Sequence, residues 1–356
     1  MKQHRKRTSR VRNRDWKTQH EQSFSHDLKK HLRTNTPIVH VAAAQSSDKV
    51  PDDFEPNGLV VSHSKKWAFV WWNDKEHLCR ISDALIERDS TILAAGDEVL
   101  VEQIEDGEPT VRAVKPRRTR LSRHAIEDSR VSEQVIAANV DLLLIIVAAA
   151  KPAFKPGLVD RYLICAEAGG VEPILCINKM DLVEGAPGDV DIYRALGVPV
   201  ILTSCSDGRG VEELRTRLLG KIAVLAGQSG VGKSSLLNVL DPGLDLATRE
   251  VSTSNEKGKH TTTSSRLYRL DGDITLIDTP GVRQLGIWKV TFQELAFYFP
   301  EIAEHAAGCR FRDCTHSSEP GCAVRAGVES GDIPERRFLS YLRIRSSIED
   351  RGAPRR

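Results

Sequence analysis

Residues 222–240 read IAVLAGQSGVGKSSLLNVL: an apolar run, a glycine-rich turn ending in Lys-Ser-Ser, and a second run with helical spacing. Gly227-x-x-x-x-Gly232-Lys233-Ser234 is the pattern of a phosphate loop joining a strand to a helix. Along Gly227, Gln228, Ser229, Gly230, Val231 and Gly232 the glycines let consecutive N–H groups turn inward, and the helix that follows adds its positive end. Lys233 is placed to bridge the β- and γ-phosphates and Ser234 to hold Mg²⁺, with Ser235 completing the cradle. A plain glycine-rich turn would not explain Lys-Ser at that spacing.

The flanking sequence supplies the other parts of a GTP site. Downstream, TLIDTPG (275–281) ends an apolar strand on Asp278, suited to hold Mg²⁺ through water, and Gly281 is free to follow the γ-phosphate. Between them, TSNEKGKHTTT (253–263) suits a switch loop in which Thr261 or Thr262 closes over Mg²⁺. Upstream, the strand EPILCI runs into Asn178-Lys179-Met180-Asp181. Asp181 can accept from the N1–H and amino group of guanine, Asn178 can meet the other side of the base, and the Lys179 stem can lie along the ring. Adenine would leave that carboxylate unpaired, so discrimination should be large. The Thr203-Ser204-Cys205 turn can offer a backbone N–H to the guanine oxygen.

The base reader precedes the phosphate loop, whereas in an ordinary small GTPase it follows. The five elements fit one sheet if the usual ends are joined near VEELRTRLLGKIAVLAG (211–227) and new ends open after the second switch. Domain termini lie close together at the surface, so such a circular permutation is physically mild. It also implies that whatever follows Gly281 is tethered to the element that moves with the γ-phosphate.

The chain of 356 residues suits several domains. Residues 1–52 read as a disordered arm. Its first 33 residues hold eleven Lys/Arg against three acids, a net of +8, so the rest of the chain sums to −6. A basic arm on an acidic body is what attachment to a polyphosphate needs. Residues 53–115 show five short β-rich runs with a turn at Asp106-Gly107, and predict an oligonucleotide-binding (OB) β-barrel. Along one run Trp67, Phe69 and Trp71 alternate with Ala68, Val70 and Trp72, so one face is core and the other either packs or stacks on bases. Residues 116–130 read as a basic linker, and 131–290 as the α/β GTPase domain. Residues 291–356 predict a small, mainly helical domain ending in a basic amphipathic helix.

That last segment holds CRFRDCTHSSEPGC (309–322), where Cys309, Cys314, His316 and Cys322 form a closed donor set for one structural Zn²⁺. Seven cysteines, an odd number, and no apolar stretch behind the N-terminal charges point to a reducing cytoplasm. The longest apolar run, LLLIIVAAA (142–150), is too short for a membrane span.

Together with AANVD (137–141), DRYL (160–163) and GKHTTT (258–263), this arrangement resembles the ribosome small-subunit-dependent GTPase A family over roughly residues 55–345. The resemblance implies GTP hydrolysis stimulated by the small (30S) subunit late in its maturation, with barrel and zinc domain on ribosomal RNA. The partners expected are that subunit, its RNA and GTP or GDP, for a monomer with no membrane or DNA target. Where many GTPases place a water-orienting glutamine, this chain has Val282. By resemblance, His260 positions the water instead. The alternative is a GTP-regulated RNA-binding protein whose hydrolysis is incidental.

Overall fold

The computed structural model describes residues 54–86, 93–105, 107–127, 130–243, 265–270, 272–279, 287–288 and 290–352. The basic arm, Asp106, His260, Thr261, Thr262, Gly281 and Val282 lie outside them.

Five strands close a barrel in the order β1-β2-β3-β5-β4: β1 (Gly58–His63), β2 (Trp67–Trp72), β3 (Lys75–Ile81), β4 (Glu98–Glu102) and β5 (Thr110–Val114). A single-turn helix, α1 (Asp83–Ile86), follows β3. Neighbours are antiparallel except β3 and β5, which run parallel. Strand alternation sends Ala68 and Val70 inward, where they meet Val60, Cys79, Ile81, Val99 and Val111.

The second unit is a six-stranded sheet, ordered β10-β9-β8-β11-β13-β12. Its strands are β8 (Leu142–Ala148), β9 (Glu172–Asn178), β10 (Val200–Leu202), β11 (Ile222–Ala226), β12 (Arg266–Leu270) and β13 (Ile274–Asp278). All pairings are parallel except that of β12 with β13. Strand β8 is wholly buried, and its period of two divides it between two cores. Leu143, Ile145 and Val147 enter one; Leu142, Leu144 and Ile146 enter the other. Helices α2 (Pro156–Gly169), α3 (Val190–Ala195), α4 (Val211–Leu218) and α5 (Lys233–Leu240) connect the strands. Proline at the start of α2 and left-handed Gly170 at its end set its limits.

Residues 116–130, expected as a linker, are largely strand. There β6 (Arg120–Glu127) pairs antiparallel with β7 (Arg130–Ala138). The polar side chains that suggested a loop are cross-strand partners: Arg120 donates to Glu133 at 3.0 Å, Ser122 to Glu133 at 2.7 Å and Arg123 to Gln134 at 2.8 Å.

Among the described residues, two contacts tie the barrel to the chain that follows it. In the first, the Ala138 amide donates to the Ala95 carbonyl (2.9 Å) and the Asn139 side chain to the Gly96 carbonyl (3.0 Å). Gly96 has φ +92°, and an added Cβ would lie 2.1 Å from the Ala138 oxygen, so glycine is required there. In the second, β2 turns its outer face to β12. Phe69 is buried in the same apolar cluster as Leu267 and Ile277, and the Arg269 guanidinium lies 4.9 Å from the centre of the Trp71 ring. Phe69 and Trp71 thus serve an interdomain contact and are not free to stack on bases.

Helices α6 (Pro300–Ala306), α7 (Ala323–Ser330) and α8 (Glu335–Gly352) build the C-terminal unit. Buried Arg337 on α8 donates to Asp160 of α2 (2.6 Å) and to Glu301 of α6 (2.5 and 3.4 Å), and its guanidinium lies 4.3 Å from the centre of the Phe299 ring. Tyr193 of α3 donates to the same Asp160 oxygen at 3.0 Å. Burial opposes the Arg337 charge, but hydrogen bonds from Glu301 and the field of Asp160 raise its pKa. Arg336 pairs with Asp189 beside it. The C-terminal unit is therefore fastened to α2 and α3, on the base-reading side of the sheet, and not by its chain tether alone as the permutation suggested.

Replacing Arg337 with alanine leaves buried Asp160 and half-buried Glu301 without their cation, and should cost about 3–5 kcal/mol. Denaturant unfolding would read this loss; an unchanged midpoint would contradict the bridging role.

Candidate functional site

The carboxyl ends of β8, β9, β10, β11 and β13 lie along one edge of the sheet, where ligands of open α/β folds bind. At that edge Lys151, Asn178, Lys179, Asp181, Leu182, Cys205, Ser206, Gly232 and Ser235 line a cavity of about 310 Å³. Five of the expected base-reading and phosphate-loop residues therefore border it with Ser235. Lys151, Leu182 and Ser206 were not foreseen, because each lies just outside the motif that gave its neighbours away.

Buried Asn178 is the joint between the two halves. Its amide donates to the Val231 carbonyl at 3.0 Å, and its oxygen accepts from Thr203 at 3.2 Å and Cys205 at 3.6 Å. Lys179, in the left-handed region at φ 64°, reaches over to donate to the carbonyls of Gly230 and Lys151, each at 2.5 Å. Met180 is buried and anchors the loop through its amide to the Thr203 carbonyl (3.1 Å). The two Asp181 oxygens accept from Ser204 (2.8 Å) and Ser206 (3.4 Å), which fixes the carboxylate toward the cavity side of the turn.

On the phosphate side, Lys233 opens α5 and donates to the carbonyls of Gly227 (3.0 Å) and Gln228 (2.9 Å). Ser234 follows in the first turn. Gly232 has φ +95°, and a Cβ there would lie 2.3 Å from the Asn178 amide nitrogen. Asp278 ends β13; burial raises its pKa, while the Lys233 ammonium and the Thr279 amide pull it back. The hydroxyl of buried Thr279 has no partner among the described residues.

A second cluster lies in the C-terminal unit. One donor atom each from Cys309, Cys314, His316 and Cys322 falls within 4.8 Å of the others. His316 Nδ1 lies 3.6 Å from the Cys309 sulfur and 3.5 Å from that of Cys322, and those sulfurs are 3.9 Å apart. A metal–sulfur bond of about 2.3 Å gives a tetrahedral edge of about 3.7 Å, so the donor set fits a metal of that kind. Burial, with a smaller contribution from Arg345, lowers the His316 pKa, and Glu319 opposes them. Glu319 gathers the loop, accepting from Thr315 and from the amides of Ser317 (2.9 Å) and Ser318 (3.0 Å). Those bonds, the Thr315 hydroxyl first, hold its carboxyl down at about 2. Arg345 of α8 donates to Thr315 (3.1 Å) and Ser317 (2.8 Å), so helix and loop brace each other.

A parallel sheet with a phosphate loop, and a base-reading loop that precedes it in the chain, define a circularly permuted GTPase. The family model described as RsgA GTPase matches residues 114–288. The small ribosomal subunit biogenesis GTPase RsgA of Shewanella oneidensis is 38% identical over 307 residues, 83% of this chain and 84% of that protein. Its counterpart in Gemmatimonas aurantiaca is 40% identical over 264 residues, 73% of this chain and 86% of that protein. Among solved structures, YjeQ from Thermotoga maritima superposes with a TM-score of 0.63 at 31% identity, covering 85% of this chain and 99% of its own. YloQ, described as a circularly permuted GTPase, gives 0.60 at 30% identity, covering 85% and 97%. The chain belongs to the RsgA GTPase family and is a GTP-hydrolysing enzyme.

Alanine at Gly232 would force the phosphate loop off Asn178. Equilibrium titration with a fluorescent guanine nucleotide should show affinity reduced at least tenfold, with the fold intact by circular dichroism. Undiminished affinity would mean that the two loops need not touch.

Proposed function

We propose that this protein is a GTP-driven factor in late maturation of the small (30S) ribosomal subunit, acting in the cytoplasm as a monomer. The observation that carries the reading is the Asn178–Val231 contact, which places a guanine-type reader and a phosphate loop on one cavity despite their inverted order. In this reading Asp181 and Asn178 select guanine, the turn at Ser204 and Cys205 meets its oxygen, and residues 227–235 hold the phosphates. Ser234 and Asp278 hold Mg²⁺, joined by Thr261 or Thr262, and Gly281 follows the γ-phosphate. Mg²⁺ would draw charge from the phosphates as the bond to the leaving group breaks. His260 positions the attacking water.

The Cys309–Cys314–His316–Cys322 set holds one structural Zn²⁺, because all four positions of a tetrahedron are supplied by protein. The loop it would stabilise presents exposed Arg310, Phe311 and Arg312, with the Arg310 guanidinium 5.5 Å from the centre of the Phe311 ring. Cations beside an exposed ring suit RNA, whose backbone supplies charge and whose unpaired bases supply stacking partners. The relatives' names supply the subunit as partner.

Sedimentation with purified 30S subunits tests the proposal. The chain should co-migrate with the subunit when loaded with a non-hydrolysable GTP analogue and dissociate when loaded with GDP. Equal association in both states would favour an RNA-binding protein with incidental hydrolysis. For His260, alanine should abolish subunit-stimulated phosphate release while GTP affinity stays within about twofold; lost affinity would make the residue structural.

A further inference from the structure

Arg266 opens β12, and in the ladder it stands directly opposite Asp278 on β13. Its side chain points the other way along the molecule's logic, into the barrel: Nη2 donates to both oxygens of Glu76 on β3, at 2.8 and 3.0 Å. The same guanidinium lies 5.8 Å from the centre of the Phe69 ring, and Arg269, further along β12, lies 4.9 Å from that of Trp71. A carboxylate of the barrel, Glu76, is thus held by the residue that stands across the ladder from Asp278.

Neither partner is deeply buried; the Arg266 and Glu76 side chains are 29% and 30% exposed. A pair that accessible contributes little to stability. Among the described residues it is nevertheless the ion pair that joins the barrel to β12, the strand laddered to Asp278. The other barrel contact, Gly96 on Ala138 and Asn139, also sits against β13: a Cβ at Gly96 would lie 3.3 Å from Cδ1 of Ile277, the residue before Asp278. The barrel therefore touches both strands of the β12–β13 ladder, and a movement of the barrel would reach Asp278 through either.

We propose that Glu76 and Arg266, backed by Phe69, Trp71 and Arg269, are positioning residues that couple the barrel to Asp278. Engagement of the barrel then adjusts β12 and, through its ladder with β13, the carboxylate beside Lys233. The subunit's effect on turnover in this account rests on the functional reading above.

Two readouts keep the two ideas apart. The variants are Glu76→Gln, nearly isosteric, Arg266→Glu, and the charge swap E76R/R266E. Basal GTP turnover should stay within twofold of wild type in all three. Activation by 30S subunits should fall at least fivefold in the single variants and recover in the swap. In the chain alone, amide hydrogen exchange of β2 and β3 should differ between GDP and a GTP analogue, and Glu76→Gln should erase that difference. Full activation in both single variants, or an exchange difference that survives Glu76→Gln, would overturn the coupling. A wild-type chain that the subunit fails to activate would sink the functional reading alone, and the exchange result would still decide the coupling.

Discussion

The Asn178–Val231 hydrogen bond is the constraint on which the proposed nucleotide site depends. A guanine nucleotide has a fixed length, so the loop that reads its base and the loop that grips its phosphates must be held at one separation. In this chain the two loops are about 50 residues apart and arrive in inverted order. The bond across them, with Lys179 reaching the Gly230 carbonyl, restores the spacing that connectivity does not supply. Gly232 makes the approach possible because any side chain there would occupy the position of the Asn178 amide. Permutation is tolerated for the same reason: a parallel sheet fixes where its strand ends lie, whatever route the chain takes between them.

Around that site, the two accessory units share one apolar cluster with the sheet and are attached toward different edges of it. The C-terminal unit is held by buried charge, Arg337 between Asp160 and Glu301, on the side of α2 and α3. Removing one member of such a group leaves charge stranded in a low-dielectric setting, which makes the attachment stiff. The barrel instead meets β12 through a half-exposed ion pair and two arginine–aromatic contacts. One attachment suits a fixed arm and the other suits an adjustable one. The nucleotide strands lie between them.

Much of this was legible in the sequence, and the exceptions have physical causes. The phosphate loop, Asn178 to Asp181 and the Cys/His quartet announce themselves because their chemistry needs particular residues at fixed spacing. The barrel strands show through the alternation of Val, Ala and aromatic residues. The β6–β7 ribbon does not, since strands whose partners are polar on both sides look like a linker until Glu133 and Gln134 are seen across from Arg120 and Arg123. Phe69 and Trp71 could be recognised as a face but not assigned, because burial against a distant strand leaves no local trace. Arg337 was hidden in the same way, as one basic residue among many on an amphipathic helix. His260, Thr261 and Thr262 remain readings of sequence.

The central claim is a guanine-specific hydrolase whose turnover answers to a ribosomal subunit. Phosphate release from GTP and from ATP, each with and without purified small subunits, tests it most directly. The account predicts slow release from GTP alone, strong acceleration by the subunit, and negligible release from ATP under either condition. Equal use of ATP would contradict the role of Asp181, and GTP turnover indifferent to the subunit would contradict the assembly switch.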